Sequence, residues 1–197
     1  MLRIEPIVLA GRLARLEPLD PRHLPDLQAA TADGALSALW YTSVPTVDGM
    51  QAEIDRRLGL QAAGSMLPFA VVRQSDGKAV GMTTYMNIDA ANDRLEIGST
   101  WISAAAQGTG INAECKLMLL THAFETLGCI AVEFRTHFMN RQSRAAIERV
   151  GARLDGILRS HMRLPNGTIR DTAVYSVIAS EWPSVRANLE NRLSRHA

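Results

Sequence analysis

Ile102-Ser103-Ala104-Ala105-Ala106-Gln107-Gly108-Thr109-Gly110-Ile111-Asn112-Ala113 runs from a strand-like segment, through small residues and two glycines, into a long helical pattern. Ile111, Cys115, Met118, Leu119, Ala123 and Leu127 recur on one face, which predicts a helix over residues 110–127, and Gly128 supplies its end. The first turn of such a helix carries N–H groups without intrahelical acceptors and the positive end of the helix dipole. Glycines let that backbone approach a ligand closely, so a phosphate or pyrophosphate suits it. A glycine-rich turn with no ligand has the same pattern, and Gly-x-Gly alone does not separate the two.

Other phosphate motifs fit less well. No Gly-Lys-Ser/Thr follows, which excludes a nucleoside-triphosphate loop. Residues 108–113 match G-x-G-x-x-A, and Glu133 stands at a plausible distance for an NAD-binding oxidoreductase. That fingerprint places its first glycine directly after a strand, whereas residues 103–107 intervene here. It also needs further strand–helix–strand units, and a long hairpin follows instead.

Outward from the loop, residues 94–102 read as the preceding strand and 130–138 as the following one. Upstream, residues 69–73 and 79–87 flank the turn Ser75-Asp76-Gly77-Lys78. Met50, Ile54 and Leu58 mark a helix over 47–63, a shorter helix fits 22–32, residues 33–45 look irregular, and 12–16 alternate as a first strand. Downstream, Asn140 is placed to cap a helix ending at Gly151. Strands over 152–164 and 169–179 then meet at Asn166-Gly167, a type I′ hairpin signal, and a final helix starts near Glu181 with Pro183 in its first turn. This order predicts an α+β fold with a mixed, mostly antiparallel central sheet flanked by helices, in a single domain over residues 1–197.

Bulk properties narrow the class. Twenty-one basic against 20 acidic residues give a net charge of +1, which offers no general attraction to nucleic acid or a membrane surface. No stretch approaches the length of an apolar membrane span and the N-terminus lacks a signal-peptide core, so a cytoplasmic location is expected. Cys115 and Cys129 lie in apolar stretches, and neither they nor the five histidines show metal-ligand spacing, so no metal is expected.

Gln107-Gly108-Thr109-Gly110-Ile111-Asn112 resembles the Gln/Arg-x-x-Gly-x-Gly/Ala loop of the GNAT N-acetyltransferase superfamily. Residues 140–152, Asn-Arg-Gln-Ser-Arg-Ala-Ala-Ile-Glu-Arg-Val-Gly-Ala, resemble a stretch of its branch containing ribosomal-protein N-terminal acetyltransferases. Asn112 departs from the pattern by standing where Gly or Ala is usual. The resemblance implies acetyl-CoA, or CoA, as co-substrate, bound in a gap where the strands 94–102 and 130–138 splay apart. It implies contacts from Trp101, Ile102, Gln107, Gly108, Thr109, Gly110, Ile111, Asn112, Asn140, Ser143 and Arg144. Asn140 is equally a helix N-cap, and the charge of Arg144 equally suits solvent.

Amide formation from a thioester needs a neutral amine, a polarised carbonyl and a protonated thiolate. Backbone N–H groups of the first splayed strand suit the oxyanion. Glu96, in Leu95-Glu96-Ile97-Gly98, is the first candidate base and His137 the second, while Ser143 or Tyr85 is placed to protonate the sulfur. Glu96 reads equally as a sheet-face carboxylate paired with an arginine. Trp40 and Tyr41, with Tyr85, are candidates to line the site of a small-molecule or peptide amine. A non-catalytic CoA-binding module on the same fold is the main alternative, and the amphipathic terminal helix suits a homodimer.

Overall fold

The computed structural model describes residues 4–34 and 36–196. The elements are β1 (Leu9–Ala10), β2 (Ala14–Pro18), α1 (Leu24–Ala32), α2 (Met50–Ala62), β3 (Met66–Arg73), β4 (Ala79–Asp89), β5 (Arg94–Ile102), α3 (Ile111–Thr121), β6 (Ala131–His137), α4 (Arg141–Val150), β7 (Arg153–Arg163), β8 (Ile169–Ile178) and α5 (Trp182–Leu193). The strands form one eight-stranded sheet in the order β1-β2-β3-β4-β5-β6-β8-β7. Every neighbouring pair is antiparallel except β5 with β6.

Side-chain alternation along the strands builds a core on each face. Leu16, Phe69, Val71, Tyr85, Leu95 and Ile97 pack under α3 and α5. Ala70, Val72, Met82 and Trp101 point the other way, against Leu27, Met50 and Ile54 of α1 and α2. The strands β3 and β4 are covered on both faces, so their apolar runs are continuous rather than alternating.

The parallel pairing of β5 with β6 covers only Arg94↔Ala131, Leu95↔Val132 and Glu96↔Glu133. Beyond Glu96 the two strands separate. The pairing of β5 with β4 shows why: it steps from Thr84↔Gly98 to Met82↔Trp101, three residues of β5 against two of β4. Ser99 sits in that bulge at φ +46°. A bulge sharpens the local twist and bends its strand, here away from β6.

Two local expectations are corrected. Residues 164–168 do not form a type I′ turn at Asn166-Gly167. Gly167 N–H donates to Leu164 O and Leu164 N–H to Thr168 O, both at 2.9 Å, across a three-residue connection. A two-residue turn would need an N–H on Pro165, which has none. The helix expected over 110–127 ends as an α-helix at Thr121 and widens into a π turn over His122–Thr126. The wider turn stacks His122 on Tyr85 (6.2 Å between centroids) and Phe124 on Trp182 (5.4 Å).

One anchor has no sequence signature. The buried Glu114 carboxylate of α3 accepts the backbone N–H groups of Arg12 (2.9 Å), Leu13 (2.7 Å) and Ala14 (2.8 Å). Gly11 makes room for it, since a Cβ there would lie 2.5 Å from the carboxyl carbon. This contact fixes the turn between β1 and β2 against α3.

Candidate active site

The loop before α3 is held from both sides. Gln107 Nε2 donates to Ile102 O (3.1 Å), and Gln107 Oε1 accepts from Gln142 Nε2 of α4 (3.3 Å). Thr109 is exposed, and its Oγ1 donates back to Ala106 O at 2.7 Å, so the hydroxyl closes the turn. Gly108 and Gly110 adopt φ of +76° and +89°, a region that favours glycine. Gly110 is the N-cap of α3 and no side chain caps the first turn, which leaves its N–H groups for a ligand. The Ile111 side chain is core, so only its backbone is available to the loop. The Asn112 Oδ1 is buried with no hydrogen-bond partner among the described residues.

A cleft of about 800 Å³ starts at Gln107, Gly108 and Asn112 and passes between β5 and β6 to the opposite face of the sheet. On the loop side Ser143, Ile147, Phe134 and Lys116 line it. Asn140 caps α4 by accepting the Ser143 N–H at 2.9 Å, and both residues border the cleft. Trp101 and Ile102 form its wall, with Trp101 Nε1 buried and unpartnered among the described residues. Acetyl-CoA fits this end on the chain's own features: a long slot beside an unpaired strand edge, ending at an uncapped helix start.

On the far face, the pairing places Glu96 beside Glu133 and aligns Arg135 and His137 with Val174 and Thr172 of β8. Glu96 is only 5% exposed, and burial pushes its carboxyl above the usual carboxylate range. Asn87 Nδ2 donates to its Oε2 at 2.7 Å, and Arg135 Nε stands 3.5 Å away; both oppose that rise. A Cβ at Gly98 would lie 2.8 Å from Glu96 Oε1 and 2.7 Å from Met86 Sδ, so a larger residue there would shift both side-chain ends.

Three candidate residues take different roles from those expected. His137 borders the cleft, but its Nδ1 accepts the Met139 N–H at 3.0 Å. The neutral ring therefore carries its proton on Nε2 and offers no free lone pair. Burial, with Arg170 adding to it, also lowers its pKa, so the ring is held neutral with an N–H rather than a lone pair free. Tyr85 is fully buried on the α3 side, its hydroxyl donates to Leu119 O at 2.6 Å, and it does not line the cleft. Arg144 points away from the cleft: its Nε donates to Tyr175 Oη (2.9 Å) and its guanidinium lies 4.8 Å over the Phe138 ring.

Tyr41 lines the cleft on the Glu96 face. Trp40 does not; half exposed, it sets its ring edge against His137 at 5.1 Å. Asn166 Nδ2 of the β7–β8 turn donates to Trp40 O at 3.2 Å and ties this segment over the sheet.

Two cleft residues escaped sequence reasoning. The Lys116 ammonium is buried, donates to Thr100 Oγ1 at 2.9 Å, and burial pushes its pKa down to about 8. Arg57 is buried between Glu53 (2.7 Å) and the carbonyl of the bulge residue Ser99 (3.1 Å), so it steadies the bend in β5. Each interrupts an apolar helical stripe, Cys115–Leu117 and Ile54–Leu58, and that interruption is the signal that points to them. Burial pushes the Cys115 thiol up to about 12 and Cys129 to about 11, which makes neither a nucleophile at neutral pH. Among the described residues no group of three or more metal-ligating side chains occurs, and no helix is long and apolar enough to cross a membrane.

Comparison with known proteins follows the same outline. The profile of the acetyltransferase (GNAT) domain matches residues 14–153. The crystal structure of a GCN5-related N-acetyltransferase from Brucella melitensis superposes with a TM-score of 0.86 at 32% identity, covering 95% of this chain and 86% of that one. YdaF of Bacillus subtilis (strain 168), named as a candidate ribosomal N-acetyltransferase, is 36% identical over 107 residues. That match covers 54% of this chain and 57% of YdaF, less than two thirds of the relative's length. Mycobacterium smegmatis RimJ, solved in complex with CoA-disulfide, has a TM-score of 0.79 at 23% identity, covering 95% of each chain, a likeness of fold.

Proposed function

Because this chain belongs to the GNAT acetyltransferase family, we propose that it moves the acetyl group of acetyl-CoA to a primary amine, with a protein or peptide N-terminus as the acceptor class. The observation that carries the reading is the continuity of one cleft from the uncapped first turn of α3, through the splay, to the buried Glu96. The name of YdaF, a candidate ribosomal N-acetyltransferase, favours a macromolecular amine over a small one.

Acetyl-CoA supplies an activated thioester. The Gly108-Thr109-Gly110 loop and first turn of α3 hold its phosphates by backbone N–H groups. The β6-facing edge of β5 beyond Glu96 supplies unpaired N–H groups for the negative charge that grows on the carbonyl oxygen. Glu96 takes the proton lost by the attacking amine, a role suited to a carboxyl whose pKa burial has raised. Lys116 or Ser143, both on the cleft wall, returns a proton to the departing sulfur. Nucleophile, acyl carbon and leaving group exchange one bond for another, with no covalent enzyme intermediate.

The test is thermal unfolding with acetyl-CoA, CoA, NAD and ATP, followed by thiol release with an amine panel. A ligand at about 100 times its dissociation constant adds about 2.7 kcal/mol to stability. A midpoint rise with the CoA species alone, and amine-dependent thiol release lost in Glu96→Gln, is expected. A rise with NAD, or none with CoA, overturns the reading.

A further inference from the structure

Six cationic side chains line the cleft against two carboxylates, Glu53 and Glu96, in a chain whose net charge is +1. Most of these cations are already engaged or lie elsewhere. Arg56 and Arg57 share Glu53. Arg135 pairs with Glu133 at 2.8 Å and approaches Glu96 at 3.5 Å. Lys116 belongs to α3 and bonds Thr100, and Arg149 is exposed on the last turn of α4.

Arg170 is different. It lines the cleft from β8, two residues before Thr172, and therefore shares the sheet face that carries Thr172, His137, Arg135 and Glu96. Among the described residues no carboxylate lies within ion-pair distance of it. Its Nε donates to Thr172 Oγ1 at 2.9 Å, and His161 Nδ1 meets the same hydroxyl at 3.0 Å. The side chain is thus held in place, while among the described residues neither terminal nitrogen has a hydrogen-bond partner. Burial works against its charge, and only the more distant Glu96 offsets that cost. A fixed, partly desolvated guanidinium with an open fork is the arrangement that pairs with a planar carboxylate.

We infer that Arg170 is a specificity determinant which binds a carboxylate of the acceptor, so that the preferred substrate is an amine with an acidic group on the same or the next residue. For the identity of the amine as acceptor this rests on the transfer reaction proposed above. Within a polypeptide the α-carboxyl is an amide, so an N-terminal segment must bring an Asp or Glu side chain. A free amino acid offers the same chemistry through its own carboxylate.

The test uses C-terminally amidated tetrapeptides with Glu or Gln at the first or second position, together with free glutamate and glutamine amide. Binding to the CoA-loaded protein is read by calorimetry and transfer by thiol release, for wild type, Arg170→Gln and Arg170→Lys. Expected is about 10- to 100-fold tighter binding of the acidic peptide, or of the free amino acid if that is the source. In Arg170→Gln this preference disappears, neutral acceptors stay within about threefold, and the CoA-induced midpoint rise is unchanged; Arg170→Lys recovers part of it. Equal binding of Glu and Gln ligands by wild type overturns the inference, as does a uniform loss across all ligands in Arg170→Gln. An acidic preference in binding without transfer to any amine would uphold Arg170 and overturn the transfer reading instead.

Discussion

Glu114→Ala tests the anchor between α3 and the β1–β2 turn. The wild-type carboxylate accepts three backbone N–H groups at 2.7 to 2.9 Å. Ala14 is fully buried, so its amide is left without a partner at about 2 kcal/mol, while water reaches those of Arg12 and Leu13 at about 0.5 kcal/mol each. The total is about 3 kcal/mol, which for a chain of this size lowers the unfolding midpoint by roughly 6–12 °C. Glu114→Gln keeps one acceptor oxygen but turns an NH2 group toward N–H donors, and falls between. Gly11→Ala reports on the same contact, because its Cβ meets the carboxyl at 2.5 Å. Its cost should shrink sharply in the Glu114→Ala background, a coupling visible in a double-mutant cycle followed by thermal or urea unfolding. A midpoint drop below about 2 °C for Glu114→Ala, or strict additivity with Gly11→Ala, would refute the reasoning.

Other predictions concern the cleft, one ion-pair site and one buried hydrogen bond. Glu96 must be ionised to act, so the rate falls as pH drops through its raised pKa; Asn87→Ala, which removes a bond favouring the carboxylate, moves that acid limb upward. As donor to the sulfur Lys116 must be protonated, so the rate falls as pH rises through about 8, and Lys116→Met abolishes that alkaline limb in a pH–rate profile. Although burial pushes Glu17 up, hydrogen bonds from Arg15, His23 and Arg22 hold it down to about 2, so its stabilisation is present above the ordinary value of 4.5 and lost as pH falls toward 2. With Arg15 and Arg22 partly in solvent this is about 1–2 kcal/mol, and Glu17→Gln should flatten stability measured across that window. Tyr85→Phe removes the bond to Leu119 O, costs about 1 kcal/mol in urea unfolding and leaves turnover unchanged; a tenfold activity loss would return Tyr85 to the site.

The sequence by itself determined the elements whose signals are local. The amphipathic stripe behind Gly108-x-Gly110 placed a helix start against a loop, and Asn140 with Gly151 bounded the next helix, because caps and glycine conformations act within a few residues. The order of strands and helices, and the absence of repeated strand–helix–strand units, was enough for a mixed sheet. What required the tertiary structure was every contact made at long range. The splay depends on a bulge at Ser99 whose residue carries no mark of it, and the hairpin type turned on Pro165, whose missing N–H matters only once the register is known. Tyr85 and Glu96 both lie in strands of the same sheet. Alternation within a strand is visible in sequence, but which face meets α3 and which meets the cleft is set by packing, and this sends Tyr85 into the core and Glu96 to the gap. Glu114 and Arg170 read as ordinary helix and strand charges, and Lys116 is marked only by its interruption of an apolar stripe. Only burial, and the presence or absence of a partner brought from far along the chain, gives each one its role.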